Sequence, residues 1–333
     1  MNAAVRNAWL RGVSGASEAH QAFRIRDAHK DGLRPIDVFG VIEELEIPLV
    51  FEPLDHLLGA CVRVESTTVG ILVTTERSLH MQRFTAAHEL GHFVLDHEGS
   101  LDREVRMPGN TTNRPIVEIE ADAFAAEFLM PTWLVKTTAE RRGWWSGELL
   151  SDPDVVYQLS LRLSVSYDAA CWGLVASEFV PHGVGTQLAS KEPKEMKARA
   201  LRGIQMSDSW ADVWLLDEGD NGAHLDAGPN DLFIVELHED AASGYRWDTA
   251  QANRDGFKVL SDNSEHSEKQ VGAASTRRLI LSAPPKGLHE LQLQHRRSFS
   301  KRADVQAFSV SISTRGSTKV DDPAPYAYAP AIH

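Results

Sequence analysis

Cysteine is scarce. The 333 residues hold two, Cys61 and Cys171, far apart in sequence, which excludes a disulfide-stapled scaffold and fits buried thiols in a reducing compartment. Long apolar runs are missing as well. None approaches the roughly 18 residues that a membrane-crossing helix needs, so no membrane partner is expected. The opening stretch, Met1 to Phe23, carries neither the apolar core nor the cleavage site of a secretory leader. Together these absences lead to the expectation of a cytoplasmic protein. Positive charge is also short: 34 Lys and Arg stand against 47 Asp and Glu, a net charge of -13. That balance argues against general nucleic-acid binding. The deficit is steepest over residues 201–250, with 11 acids and 2 bases, a stretch that reads as a solvated acidic loop. No internal repeat is present.

Apolar residues make up 42% of the chain, enough for packed cores, and the length suits two domains or three small ones. Glu18 to Glu46 reads as two helices, the second starting near Pro35. Runs rich in β-branched residues follow at Ile47–Phe51, Ala60–Glu65 and Val69–Thr74, with a hairpin candidate at Ser66-Thr67-Thr68. A helix is expected from about Thr85, as N-cap, to Asp96. After a polar stretch from His97 to Val117, a strong helix runs from about Val117 to Met130. There Ala121, Phe124, Ala125, Phe128 and Leu129 form one stripe at helical spacing. Val155 to Phe179 reads as two short helices. Residues 184–209 read as a linker with some helical character. Beyond Trp210 the period changes to two. Asp231–His238, Tyr245–Thr249, Arg277–Ser282, His289–His295 and Val305–Thr314 then suggest a β-sandwich. Residues 321–333 are Pro/Ala-rich and read as a disordered tail.

The chemistry centres on His88-Glu89-Leu90-Gly91-His92. Residues four apart on a helix share a face, so both imidazoles can reach one metal, and Glu89 lies where a carboxylate can take a proton from an activated water. Gly91 allows a close neighbour. A catalytic zinc needs a third protein ligand. A third histidine six residues beyond His92 is absent, since Glu98 stands there, and His97 points off the helical face. Glu118-Ile119-Glu120-Ala121-Asp122 is the better source. Glu118 and Asp122 share a face, which suits one carboxylate on the metal and a second bonding a ligand imidazole from behind. Glu120 points roughly 160° away from Asp122, so Glu118 is the chosen ligand. Glu120 and Glu127 read as solvated.

These residues carry a resemblance. Gln82-Arg83-Phe84-Thr85-Ala86-Ala87-His88-Glu89-Leu90-Gly91-His92-Phe93, followed by Glu118-x-Glu120-Ala121-Asp122-Ala123-Phe124-Ala125-Ala126-Glu127-Phe128-Leu129-Met130-Pro131, resembles the ImmA/IrrE family of metallopeptidases over roughly residues 18–180. The resemblance implies a zincin-type, gluzincin-like domain with His88, His92 and Glu118 on Zn2+ and Glu89 as general base. Well-known members cleave helix-turn-helix repressors in phage-immunity or stress responses, so the resemblance implies such a repressor as substrate, in a stress, phage-immunity or mobile-element response, with transcription regulation as the expected setting. Tyr157 to Trp172 has the cadence of a helix-turn-helix. The would-be recognition helix, Ser166 to Glu178, has no lysine or arginine, so direct DNA binding is not expected.

Residues 210–320 resemble chagasin-like cysteine-peptidase inhibitors, an Ig-like sandwich family. Three stretches carry the likeness: Asp240 to Trp247, Val271 to Ser275, and Leu291 to Phe299. The resemblance implies binding loops at Ser243, Gly244, Tyr245, Gly272, Arg297 and Phe299, with a protein or peptide ligand. Each loop departs from the family pattern, with Ser298-Phe299 in place of Pro-Trp, and strong protease inhibition is not expected. The whole reads as an α+β chain. Residues 1–183 form the peptidase domain, with the helix-turn-helix-like pair at about 153–180; the linker, the all-β domain at 210–320 and the tail follow. The leading expectation is a zinc endopeptidase whose sandwich senses a signal, recruits substrate or restrains the enzyme. The alternative is a non-catalytic scaffold or inhibitor module acting through the sandwich loops.

Overall fold

Eleven α-helices and twelve strands occur among the residues that the computed structural model describes: 3–54, 57–64, 68–97, 100–102, 114–240, 244–266, 275–297 and 306–314. The chain folds as two compact units. Met1–Thr137 and Leu163–Gly185 build the first; Thr138–Arg162 and Thr186–Ser317 build the second. This division differs from the expected boundary at residue 183, because residues 138–162 belong with the β-rich unit.

The first unit opens with α1 (Ala3–Ala22), a short α2 (Ile25–Ala28) and α3 (Val38–Glu44). α1 starts well before the expected Glu18. α3 starts after Pro35 rather than at it, because the Asp37 side chain accepts from Gly40 N at 3.1 Å and caps the helix there. Strands β1 (Leu49–Glu52), β2 (Gly59–Val64), β3 (Thr68–Thr74) and β4 (Ser100–Asp102) form one sheet in the order β1-β3-β2-β4. β1 and β3 run parallel, while β2 is antiparallel to both β3 and β4. Residues 66 and 67 of the expected hairpin turn lie outside the described residues. α4 (Leu79–Val94) begins at the Ser78 cap, and Thr85 is buried in its middle instead of capping it. α5 (Ile116–Leu129) buries the stripe Ala121, Phe124, Ala125, Phe128 and Leu129. The Phe124 ring fills the space beside Gly91 of α4.

Beyond Pro131 come α6 (Thr132–Arg141), α7 (Pro153–Leu163) and α8 (Tyr167–Ala176). Ser164, at φ 52°, sits in the turn between α7 and α8, and Ser166 caps α8 by accepting from Ala169 N. The expected linker holds α9 (His182–Ala189) and α10 (Pro193–Leu201). It is not a spacer in the β-rich unit, because Leu201 packs with Val213, Leu232, Ile234 and Ile280 in one apolar cluster.

The β-rich unit contains β5 (Val213–Leu216), β6 (His224–Ala227), β7 (Leu232–Glu239), β8 (Tyr245–Asp248), α11 (Ala250–Arg254), β9 (Lys258–His266), β10 (Ser275–Ser282), β11 (Gly287–Arg297) and β12 (Gln306–Thr314). They make two four-stranded sheets, ordered β5-β7-β10-β9 and β6-β12-β11-β8. In the second, Leu291, Leu293, Phe308, Val310 and Ile312 alternate inward and are buried. The acidic stretch is not a solvated loop. It supplies β5 to β8, and Asp220, Asp231 and Glu239 are buried.

α7 covers the open edge of β5. The Gln158 amide donates to Val213 O at 2.8 Å and accepts from Leu215 N at 2.9 Å, as a neighbouring strand would. Tyr157 Oη accepts from Val213 N at 3.0 Å and donates to Asp212 at 2.9 Å. Arg162 donates to Leu215 O at 2.6 Å. Among the described residues no helix is long and apolar enough to cross a membrane. The expected tail at 321–333 lies outside the described residues.

Candidate metal centre

α4 and α5 bring the charged residues together. His88 and His92 lie one turn apart on α4 and are buried to 0% and 1% exposure, with their Nε2 atoms 3.1 Å apart. Glu118, in the first turn of α5, reaches both: its carboxylate lies 3.4 Å from His88 Nε2 and 3.6 Å from His92 Nε2. Ligand atoms of the three residues fall within 4.8 Å of one another, a group that could hold a metal ion. Two imidazole nitrogens and a carboxylate turned on one point suit zinc chemically, and one further position would remain for water or substrate.

What stands behind the imidazoles supports that fit. Asp122 Oδ1 lies 2.9 Å from His88 Nδ1, and Arg114 in turn pairs with Asp122. A hydrogen on His88 Nδ1, the side that faces the Asp122 carboxylate, leaves the Nε2 lone pair for a metal. Glu89 is fully buried beside His88. β2 runs so close that a Cβ on Gly59 would stand 3.0 Å from Glu89 Oε1 and 2.4 Å from the Thr85 methyl. That position therefore tolerates only glycine without a shift.

Two residues depart from their expected places. α4 ends at Val94, and Asp96 turns left-handed at φ 55°. His97 N then donates back to His92 O at 2.9 Å, a helix-ending reversal. Helical geometry no longer applies to His97, and its Nδ1 comes to 2.9 Å from His92 Nδ1. Glu120 does face away from Glu118 and Asp122, but not into solvent. It is 3% exposed and lies 2.7 Å from His97 Nε2. Glu127 is half-buried, and burial pushes its carboxyl up to about 7. The signal for the His97–Glu120 pair was the run Glu118-x-Glu120-x-Asp122, which places carboxylates on both faces of α5.

In the β-rich unit, Gly244, Tyr245 and Arg297 are described, whereas Ser243, Gly272 and Phe299 lie outside the described residues. β8 pairs with β11 so that Tyr245 opposes Arg297. The Arg297 guanidinium sits 4.7 Å above the Tyr245 ring, and His295 stacks on Trp247 at 4.8 Å. Tyr245 and Trp247 are thus held by this ladder, with Trp247 buried and its Nε1 donating to His238 O at 2.8 Å.

Residues 42–174 match the family model of the IrrE N-terminal-like domain, a peptidase family, and residues 226–312 match that of the Chagasin family peptidase inhibitor I42. Among solved structures, the cysteine protease inhibitor EhICP2 from Entamoeba histolytica is 22% identical. The alignment covers 31% of this chain and 96% of that one at a TM-score of 0.28. Amebosin is 16% identical over 30% of this chain and 96% of its own, at a TM-score of 0.27. PbICP-C, solved in complex with falcipain-2, is 12% identical over 34% and 95%, at 0.22. No curated protein matches the chain. The chain is therefore α+β, with a region that matches the IrrE-type peptidase model followed by a β region that matches the chagasin model.

Proposed function

We propose that this chain is a zinc-dependent endopeptidase, with His88, His92 and Glu118 as metal ligands and Glu89 as general base. The observation that carries the reading is the convergence of His88 Nε2, His92 Nε2 and the Glu118 carboxylate within 4.8 Å, one residue from a fully buried Glu89. Zinc, when bound, would supply a Lewis acid that polarises the scissile carbonyl and the attacking water. Glu89 then takes the proton that the water gives up and returns it to the leaving amine. The Asp122 carboxylate, 2.9 Å from His88 Nδ1, favours the tautomer that leaves Nε2 for the metal. Arg114 pairs with Asp122 and lies 3.9 Å from Glu118 as well, and Glu118 supplies the anionic ligand.

The family match at residues 42–174 supports a protein substrate, and we assign a helix-turn-helix repressor as that substrate, in the cytoplasm. The test uses the full chain, metal analysis and a panel of purified repressors. Glu89→Gln should keep its zinc and lose about 10²–10⁴-fold in cleavage rate, because an amide cannot accept the proton. Full turnover by a metal-replete Glu89→Gln protein would refute the mechanism.

A second reading concerns the β-rich unit. The chagasin-family match at residues 226–312 and the Arg297–Tyr245 stack favour a surface that binds a protein or peptide. It recruits substrate to the peptidase or restrains it. Titration of the full chain against a papain-like enzyme tests for inhibition, and nanomolar inhibition would make this chain a peptidase joined to a working inhibitor.

A further inference from the structure

The two candidate ligand histidines are not backed in the same way. His88 meets a carboxylate directly, at Asp122. His92 meets a second imidazole, His97, and only then a carboxylate, Glu120. Both carboxylates stand on α5, two residues apart, and both end in an arginine. Arg114 caps Asp122, while Arg11 of α1 reaches Glu120 with Nη1 at 3.2 and 3.3 Å from its two oxygens. α1 lies wholly outside residues 42–174, the part that matches the peptidase family.

We propose that α1 completes the metal centre from behind, with Arg11, Glu120 and His97 acting in series as positioning residues for His92. The proposal rests on the reading that His88, His92 and Glu118 hold zinc. The direction of each hydrogen bond follows from the chemistry. If His92 gives its Nε2 lone pair to the metal, its Nδ1 carries the hydrogen and must find an acceptor. His97 Nδ1, at 2.9 Å, is that acceptor, so the His97 hydrogen sits on Nε2 and points at Glu120, 2.7 Å away. Glu120 accepts from both His97 and Arg11. Reversing any one tautomer puts two donors or two acceptors face to face. The series therefore holds His92 in the metal-binding form and fixes its ring plane.

A buried carboxylate needs a counter-charge. Glu120 is 3% exposed, and Arg11 supplies the charge from the surface, also donating to Leu95 O at 3.3 Å beside the end of α4. α1 can bring it there because of Gly12. A Cβ at Gly12 would lie 2.2 Å from Glu120 O and 2.8 Å from Ala123 Cβ, so only glycine lets the helices meet at this depth. Contact between α1 and α5 thus occurs at the residue that backs the metal ligand.

The test measures zinc affinity of the full chain by competition with a chromophoric chelator, and the visible spectrum of the Co2+-loaded protein. Glu120→Ala and His97→Ala should each weaken zinc binding by about 10–100-fold. Arg11→Met should weaken it up to about tenfold and alter the Co2+ bands, and Arg11→Lys should restore most of the loss. Arg11→Met in a Glu120→Ala background should add nothing. Arg11 is 59% exposed in its side chain, so the variant keeps its fold, which circular dichroism of the metal-free chain verifies. Unchanged zinc affinity and Co2+ spectrum in Arg11→Met overturn the role of α1. Tighter binding does so too, because it would mean that removing positive charge outweighs positioning. Failure of the underlying reading has a different signature: parent protein that binds no zinc, or Glu118→Ala protein that keeps it.

Discussion

Glu118 and Asp220 are both carboxylates set among nitrogen bases, one in each unit. Asp220 is fully buried and receives Arg162 at 2.9 and 2.7 Å, Arg142 at 2.8 Å and the Asp217 N–H at 3.1 Å. Trp144 adds its ring, with the Arg162 guanidinium 5.0 Å from its centroid. Burial alone would raise the Asp220 carboxyl, but Arg162 and Arg142 override it and hold it below the ordinary range. Burial, with Arg162 beside it, pulls Arg142 down to about 10. Every partner here is a donor meeting an acceptor, so the cluster satisfies itself. Around Glu118 the nearest partners are the imidazole nitrogens of His88 and His92, whose far sides face Asp122 and His97, with the Arg114 guanidinium farther off at 3.9 Å. Ligand atoms of His88, His92 and Glu118 converge there, the donor set that the proposed zinc would complete. Donor–acceptor polarity, and not the amount of buried charge, separates a structural cluster from a ligand-binding one.

The largest expected effects pull the two clusters apart. Glu118→Ala should lose most bound zinc, since two imidazoles make too few ligands for a stable site. Metal-free stability should change little. Asp220→Asn should do the reverse. Breaking a buried ion network by removing its shared partner costs about 3–5 kcal/mol, seen in urea unfolding of the β-rich unit, with zinc content intact. The contribution of Asp220 is complete above its unfolded value and is lost as pH falls through its lower folded one, so the stability gap between the two proteins should begin to close only below about pH 4. Equal zinc loss in both variants would erase the distinction.

A smaller effect tests how far the β-rich unit extends. A fragment of residues 138–317 should unfold cooperatively, whereas one of residues 205–317 should not, because it loses Gln158 at the β5 edge and both arginines of Asp220. In the full chain, Gln158→Ala should cost about 1–2 kcal/mol, the range for polar partners left unpaired. Identical unfolding curves for the two fragments would return residues 138–162 to the peptidase side.

The candidate metal face was legible because it depends on periodicity that short-range sequence shows. His88 and His92 lie four apart, as do Glu118 and Asp122, and the Phe124 stripe sets which side of α5 is buried. What escaped the sequence depends on where regular geometry stops. His97 follows a left-handed residue, so extending the helix past Val94 misplaces it. Most of α1 was missed because Gly12 and Gly15 weaken its helical pattern, although the same glycines let it pack closely. β9, with the sequence Lys258-Val-Leu-Ser-Asp-Asn-Ser-Glu-His266, is an edge strand too polar to alternate visibly. The acidic stretch misled for a related reason: composition shows charge, while the pairing of Asp220 with arginines 58 and 78 positions away is set only by the fold.

The smallest expected effect comes from Glu127, a charge whose environment contrasts with both clusters. It stands on α5, seven residues beyond Glu120, and burial pushes its carboxyl up to about 7. Below its unfolded value, near 4.5, the group is protonated in both states and contributes nothing. As pH rises from there toward 7, the unfolded chain releases the proton while the folded one keeps it. Stability therefore falls across that window and stays reduced above it. Glu127→Gln removes the titration. The side chain is half-buried and partly reaches water, so the full shift overstates the gain, and about 1 kcal/mol is the expected scale. Parent and variant should melt together at pH 4, and the variant should melt a few degrees higher at pH 8. Because every other group titrates equally in both proteins, the difference isolates Glu127. Parallel melting points from pH 4 to 8 would show that the fold leaves this carboxyl at its ordinary value.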